Sequence, residues 1–312
     1  MTNRYMVIVN PVSGRGFGGK SIPKLKQLFT QAERSYTLLT TEYPGHATTL
    51  TQQAISSGYD IVVAVGGDGT ANEVLNGLMS VDQNKRKTIT MGVIAIGRGN
   101  DFAYGMGIPS GLEAGSEILF RGNRRSIDVG FVRGGDFPDG RYFGNGLGIG
   151  FDAVVGFEAL KITWLSGFPS YIVAVLKTIF LYFQAPLTKI VTEDQSIQLS
   201  SLMISVMNGR RLGGGFLMAP DASNFDGLFD ICIAEEVSRL RVFGLVPHFL
   251  KGSQSSQREI HTLRSTHLEV TAINGTLPVH ADGETICVAG DRLEIALLPN
   301  QLEVICSPEL SN

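Results

Sequence analysis

Cysteine is scarce in this chain. Cys232, Cys287 and Cys306 are the only three among 312 residues, and they show neither CxxC nor metal-ligand spacing. A disulfide scaffold is thereby excluded, and the three read as small buried thiols of a reducing compartment. Low-complexity tracts and internal repeats are absent, which excludes solenoid and disordered architectures. Charge is sparse too: 18% of residues are charged and the formal balance is −3, so nucleic acid is not an expected partner. Long apolar runs are missing. Phe168 to Phe183 is almost wholly apolar, but it is interrupted by Lys177 and followed by Pro186. As a helix it would span about 24 Å, short of a bilayer core. It reads as a core helix, with the wall of an apolar substrate site as the alternative. Nothing resembling a leader precedes the apolar strand Met6-Val7-Ile8-Val9, so a cytoplasmic location is expected.

What is present is a folded, fairly apolar chain, 43% hydrophobic, of a length that suits two domains. Apolar strands are predicted near 5–9, 36–40, 61–65 and 91–96, with helices near 19–33, 46–57 and 71–79. This alternation implies an α/β domain with a parallel sheet covered on both faces, three layers in all. From about residue 126 short strands between turns predominate, with helical patterns at Phe151 to Leu160, Ser170 to Phe183 and Leu240 to Leu250. That texture predicts a mostly β, sandwich-like second domain.

The most informative segment is Gly66-Gly67-Asp68-Gly69-Thr70, between the strand Ile61-Val62-Val63-Ala64-Val65 and the helical stretch Ala71-Asn72-Glu73-Val74. Glycines permit positive φ and close approach of a ligand, and a helix N-terminus favours phosphate. Asp68 at the centre of the turn suggests Mg²⁺ beside a polyphosphate. A plain turn with Asp and Thr as caps is the competing reading. Two other patterns lie in the first loop. Gly14 to Ser21 matches the P-loop, and Gly14, Gly16 and Gly19 match GxGxxG, with Glu42 where a ribose-binding acid would fall. Asn10-Pro11 lengthens this connection, and the P-loop reading lacks an acid-terminated partner strand. A flexible surface loop and a glycine loop covering ATP in another fold remain open.

The ordered set of motifs resembles the diacylglycerol kinase catalytic family, especially its stand-alone bacterial lipid kinases. The set is Asn10-Pro11-Val12-Ser13-Gly14, Thr40-Thr41 with Gly45-His46-Ala47, the GGDGT segment with Asn72-Glu73, and Gly97-Arg98-Gly99-Asn100-Asp101. Asp128, Asp226-Gly227-Leu228-Phe229-Asp230 and Asp282-Gly283-Glu284 complete it. The resemblance implies an ATP-dependent lipid kinase of two domains with a cleft between them. Its parts would be 1–127 for ATP, 128–298 for lipid, and a tail, 299–312, returning to the first domain. ATP and Mg²⁺ are implied as cofactors. The implied ATP contacts are Asn10, Ser13, Gly14, Thr41 and the run Gly66, Gly67, Asp68, Gly69, Thr70, Ala71, Asn72, Glu73. Glu284 is implied as proton acceptor, and Asp68, Asp101, Asp128 and Asp282 as acids near the reacting groups. A structural Mg²⁺ would sit at Asp226 with the carbonyls of Ser223 and Leu228. Arg98 departs from the usual Thr, and a guanidinium there suits phosphate pairing or base stacking. The acceptor is a membrane lipid, diacylglycerol-like, with peripheral docking to the inner face of the membrane through the Trp164-to-Phe183 region and Arg210 and Arg211. A homodimer is compatible with the resemblance. An NAD kinase, which shares the glycine loop, and a non-catalytic nucleotide-binding protein are the alternatives.

Overall fold

The computed structural model describes residues 3–310 except Thr163 and Ser166, so Ser166 of the expected docking segment lies outside the described residues. The chain divides into two compact units, Met1–Asp128 with Asn300–Asn312, and Val129–Pro299.

The first unit contains β1 (Arg4–Val9), α1 (Ser13–Gln31), β2 (Ser35–Thr40), α2 (His46–Ser56), β3 (Ile61–Gly66), α3 (Asp68–Met79), α4 (Gln83–Arg86), β4 (Thr90–Ala95), α5 (Asp101–Gly105) and α6 (Leu112–Arg121). Strands β2, β1, β3 and β4 lie in that order, all parallel. The strands are apolar at nearly every position because helices cover both faces. Tyr5, Val7, Val9, Val63 and Val65 pack with Leu25 and Phe29 of α1 and Leu119 of α6. The alternate residues Ile8, Val62 and Ala64 are equally buried. The strand's period of two assigns the two sets to opposite faces.

Strand β5 (Arg124–Gly134) carries the chain into the second unit. There follow β6 (Phe137–Phe143), β7 (Gly146–Gly150), α7 (Phe151–Lys161), α8 (Phe168–Leu181), β8 (Leu187–Thr192), β9 (Ser196–Met207), β10 (Phe229–Glu235), α9 (Arg239–Lys251), β11 (Ile260–Ser265), β12 (His267–Ala272), β13 (Leu277–Ala281) and β14 (Glu284–Gly290). β15 (Arg292–Ile305) leaves this unit and ends in the first, where Glu303 and Val304 add parallel to β4.

The second unit is the expected sandwich with an added helical layer. Phe229, Ile231 and Ile233 of β10 meet Leu268, Val270 and Ile295 inside the sandwich. Their alternates Cys232 and Ala234 face the other way, onto Phe151 and Val155 of α7, Ala174 and Ile179 of α8, and Leu245 of α9. Burial pushes the Cys232 thiol up to about 12, with the Asp152 carboxylate adding to the effect, so it is an inert core group. Helix α8 is amphipathic in practice: Ala174, Val175 and Ile179 are buried, whereas Leu176 and Phe180 are exposed. Among the described residues no helix is long and apolar enough to cross a membrane.

The GGDGT segment differs from its expected form. None of Gly66, Gly67 and Gly69 has a positive φ. Gly66 still belongs to β3, Gly67 is the extended N-cap at φ −103°, and Asp68 already opens α3. The glycines serve close approach instead. A Cβ on Gly66 would collide with the Thr70 hydroxyl, and one on Gly97 would run into Gly67 Cα.

Candidate active site

In the first unit the strand ends bring four motifs together. Asn10 Nδ2 donates to Thr70 Oγ1 at 3.1 Å, joining the end of β1 to the start of α3. Thr41 N donates to Val9 O at 2.9 Å, so the end of β2 joins the same rim. Gly67 and Gly97 touch, which sets the β3 and β4 loops side by side. Asn100 holds the second loop: its Oδ1 accepts from Gly97 N at 2.9 Å, and its Nδ2 donates to Gly97 O and Ser110 Oγ.

The two acids of these loops converge. A Cβ on Gly99 would lie 2.8 Å from Asp68 Oδ2 and 3.1 Å from Asp101 Oδ2. Asp68 Oδ1 accepts from Phe102 N at 3.0 Å, which fixes the carboxylate's direction. Two like charges beside one glycine, at a helix N-terminus, fit a divalent cation and a phosphate. The first bond of α3 runs from Ala71 N to Gly67 O, so the amides of Asp68, Gly69 and Thr70 lie ahead of it.

Other expected residues have different partners. Glu73 accepts from Gly45 N at 2.8 Å and Ala47 N at 3.0 Å, so its carboxylate shapes the loop before α2. Ala71 and Asn72 are buried inside α3 and support the turn without facing solvent. Gly14 lies at φ 56° against the Ile96 carbonyl, and Ser13 N is held by Asn10 O. Arg98 is half-buried between Gly97 and Gly99. Asp128 is 1% exposed and accepts from Asn300 N at 2.8 Å, so it secures the point where the chain re-enters this unit.

The P-loop and dinucleotide patterns dissolve on inspection. Gly14, Arg15 and Gly16 all have positive φ, and the regular helix follows them. Gly18 is glycine because a Cβ there would strike the Asn10 carbonyl. These glycines let α1 approach the β1 turn, and Lys20 points from an exposed position.

In the second unit, Ala281 and Glu284 pair across a two-residue turn. Asp282 (φ 48°) and Gly283 (φ 83°) both adopt the left-handed conformation, as a type I′ hairpin requires. The Asp282 carboxylate, 4% exposed, accepts from Gly144 N, Asn145 N and Gly146 N at 2.7–3.0 Å. Asp282 therefore anchors the turn, and half-buried Glu284 is what the turn presents. Asn208 and Asn224 both donate to Gly144 O and brace the same segment. Sequence reasoning missed Asn145, Asn208 and Asn224; the Asn-Gly pairs at 145–146 and 208–209 were the available signal for the first two.

The expected cation at Asp226, Ser223 and Leu228 meets a competitor. Asp226 Oδ2 is bound by the Arg264 guanidinium and Oδ1 accepts from Leu228 N. Arg264 also reaches Asp230, whose carboxyl is raised chiefly by burial, with Asp226 and Asp221 adding repulsion and Arg264 opposing it. With both Asp226 oxygens engaged, the arginine bridge alone can hold this turn without Mg²⁺. Asp226→Asn should then cost about 1 kcal/mol, and chelator should leave the melting temperature of both proteins unchanged. A chelator-induced fall in the wild type alone would restore the cation.

Residues 4–132 match the diacylglycerol kinase catalytic domain, and residues 145–306 match the YegS C-terminal NAD kinase beta sandwich-like domain. A diacylglycerol kinase of Mycobacterium tuberculosis (strain H37Rv) is 31% identical over 255 residues, covering 81% of this chain and 78% of that protein. One from Bacillus subtilis (strain 168) is 28% identical over 291 residues, covering 90% and 89%. A crystal structure of a diacylglycerol kinase from Bacillus anthracis (strain Sterne) superposes with a TM-score of 0.73 at 21% identity, over 99% of this chain and 98% of that one. At that identity the superposition speaks for the fold.

Proposed function

The chain belongs to the diacylglycerol kinase family that these two domains define, and on that premise we propose that it is an ATP-dependent lipid kinase. It transfers the γ-phosphoryl group to the hydroxyl of a diacylglycerol-like lipid. The observation that carries this reading is the convergence of Asp68 and Asp101 on Gly99 at the N-terminus of α3. Asn10, Ser13, Gly14 and the first amides of α3 bind the phosphates, and Arg98 adds a positive charge beside them. Mg²⁺, when bound by Asp68 and Asp101, neutralises charge on the transferred group. Glu284 accepts the proton of the lipid hydroxyl, held in place by the Asp282 turn.

A lipid acceptor implies docking at a bilayer. The second unit carries exposed Leu160, Trp164, Leu176, Phe180 and Leu240 on α7, α8, α9 and the segment between the first two. Lys161 and Lys177 on the same helices both pair with Glu158, so the apolar side chains carry most of the docking, with Arg210, Arg211 and Arg239 as the cations toward an anionic surface.

The test is transfer of ³²P from labelled ATP with Mg²⁺, offering diacylglycerol in anionic vesicles and NAD in solution. Label should enter the lipid, at a rate set by its surface fraction, and the protein should float with vesicles less well as salt rises. Label in NAD, with no vesicle association at any salt, would replace this reading with an NAD kinase. Label in neither would leave a nucleotide-binding protein.

A further inference from the structure

Among the described residues of the first unit, the exposed large apolar side chains all lie at the carboxyl ends of parallel strands. Val12 and Phe17 follow β1, Tyr43 follows β2, and Tyr104 follows β4. Ligands bind at that end of such sheets. Tyr43 differs from the other three. Its ring lies parallel to the His46 imidazole, with centroids 4.5 Å apart and planes 9° apart. The residue is nevertheless 55% exposed, so His46 covers one face and solvent meets the other.

An exposed aromatic on a loop is usually loose, but this one is clamped. Glu42 N donates to His46 Nδ1 at 3.1 Å, which leaves the imidazole proton on Nε2. His46 N donates to Tyr43 O at 3.2 Å, closing the turn between the two rings. Gly45 takes φ 87°, and its N–H and that of Ala47 both end on the Glu73 carboxylate. Thr48 Oγ1 donates to Glu73 O at 2.8 Å. The stack is therefore fastened to α3, the same helix that opens with Asp68, Gly69 and Thr70.

Position agrees with this. In the sheet β1 separates β3 from β2, so the stack lies two strand spacings, roughly 10 Å, from the GGDGT turn. Asn10 and Thr41 occupy the ends of β1 and β2 along that path. A ligand with phosphate at one end and a flat ring at the other would span it.

We propose that Tyr43, backed by His46, is the platform on which the base of the nucleotide stacks. The proposal rests on ATP being the phosphoryl donor. Stacking takes a base by its face, and the exposed Tyr43 ring is what this turn presents. Glu73 holds base platform and phosphate turn at a set distance.

Calorimetry on the full chain tests it, with ADP and pyrophosphate as probes and wild type, Tyr43→Ala and Tyr43→Phe as proteins. Tyr43→Ala should weaken ADP about tenfold, within the range for loss of base–aromatic stacking. Pyrophosphate affinity should be unchanged, and Tyr43→Phe should bind ADP as wild type does. Equal ADP affinity in Tyr43→Ala and wild type would overturn the platform and leave the kinase reading standing. Equal losses for ADP and pyrophosphate would also overturn it, by showing a distorted loop. A wild type that binds neither ADP nor ATP would remove the ATP reading itself, and the platform with it.

Discussion

Glu284→Gln should lower turnover by roughly 10²-fold or more while leaving the fold and ADP affinity in place. The side chain keeps its size, and the Ala281–Glu284 pairing that starts β14 does not depend on the carboxylate. In the proposed mechanism the substitution removes the group that accepts the proton. Asp282→Asn should behave in the opposite way. The carboxylate meets the three backbone donors of Gly144, Asn145 and Gly146 with two oxygens, whereas an amide offers one acceptor oxygen and an NH₂ that cannot accept. Stability should fall by about 2–3 kcal/mol, the range for buried bonds to a charged group. Comparing kcat with the melting temperature of both variants separates the base from its support. Near-wild-type turnover in Glu284→Gln would remove that residue from the mechanism.

Asp68→Asn should abolish phosphoryl transfer, whereas Lys20→Ala should cost little. Asparagine keeps an oxygen for Phe102 N but removes one of the two charges that meet at Gly99. With half the anionic pair gone, the residues proposed to hold Mg²⁺ would no longer suit a divalent ion, and the charge it would neutralise during transfer would be uncompensated. Lys20 stands exposed on α1, behind glycines that serve packing against Asn10. Steady-state assays of both variants decide the matter. An inactive Lys20→Ala beside an active Asp68→Asn would mean that the P-loop pattern binds the phosphates after all.

The parallel sheet was legible because strands buried on both faces are apolar throughout, and β1, β3 and β4 obey that rule. Strand β7 was not legible, because Gly146-Leu147-Gly148-Ile149-Gly150 reads as a loop. Its glycines have a packing cause: a Cβ on Gly148 would lie 2.5 Å from His280 Nε2, and one on Gly146 would lie 2.8 Å from Met207 Sδ. Strand β13 was masked by Pro278 and by register shifts around Val279. The contiguous motifs of the site could be read, since each is a strand end with its loop. What could not be read was which loops touch. The contact between Gly67 and Gly97 joins segments thirty residues apart, and Glu73 turned out to reach back to Gly45. The positive φ expected of the GGDGT glycines was the wrong use of the right residues.

The first unit is discontinuous, since residues beyond Asn300 return to pair with β4 and Asp128 holds Asn300 in place. During synthesis this order has a kinetic meaning. The first four strands emerge early, but the residues that pair along their edge, Glu303 and Val304, are made only after the whole second unit. At about 5–20 residues per second, translation of the intervening unit takes on the order of ten seconds. For that interval β4 is an open edge, able to pair with any extended segment nearby. A nascent chain would thus expose that edge until Glu303 and Val304 are made, and deleting the residues beyond Asn300 would leave it open for the protein's whole lifetime.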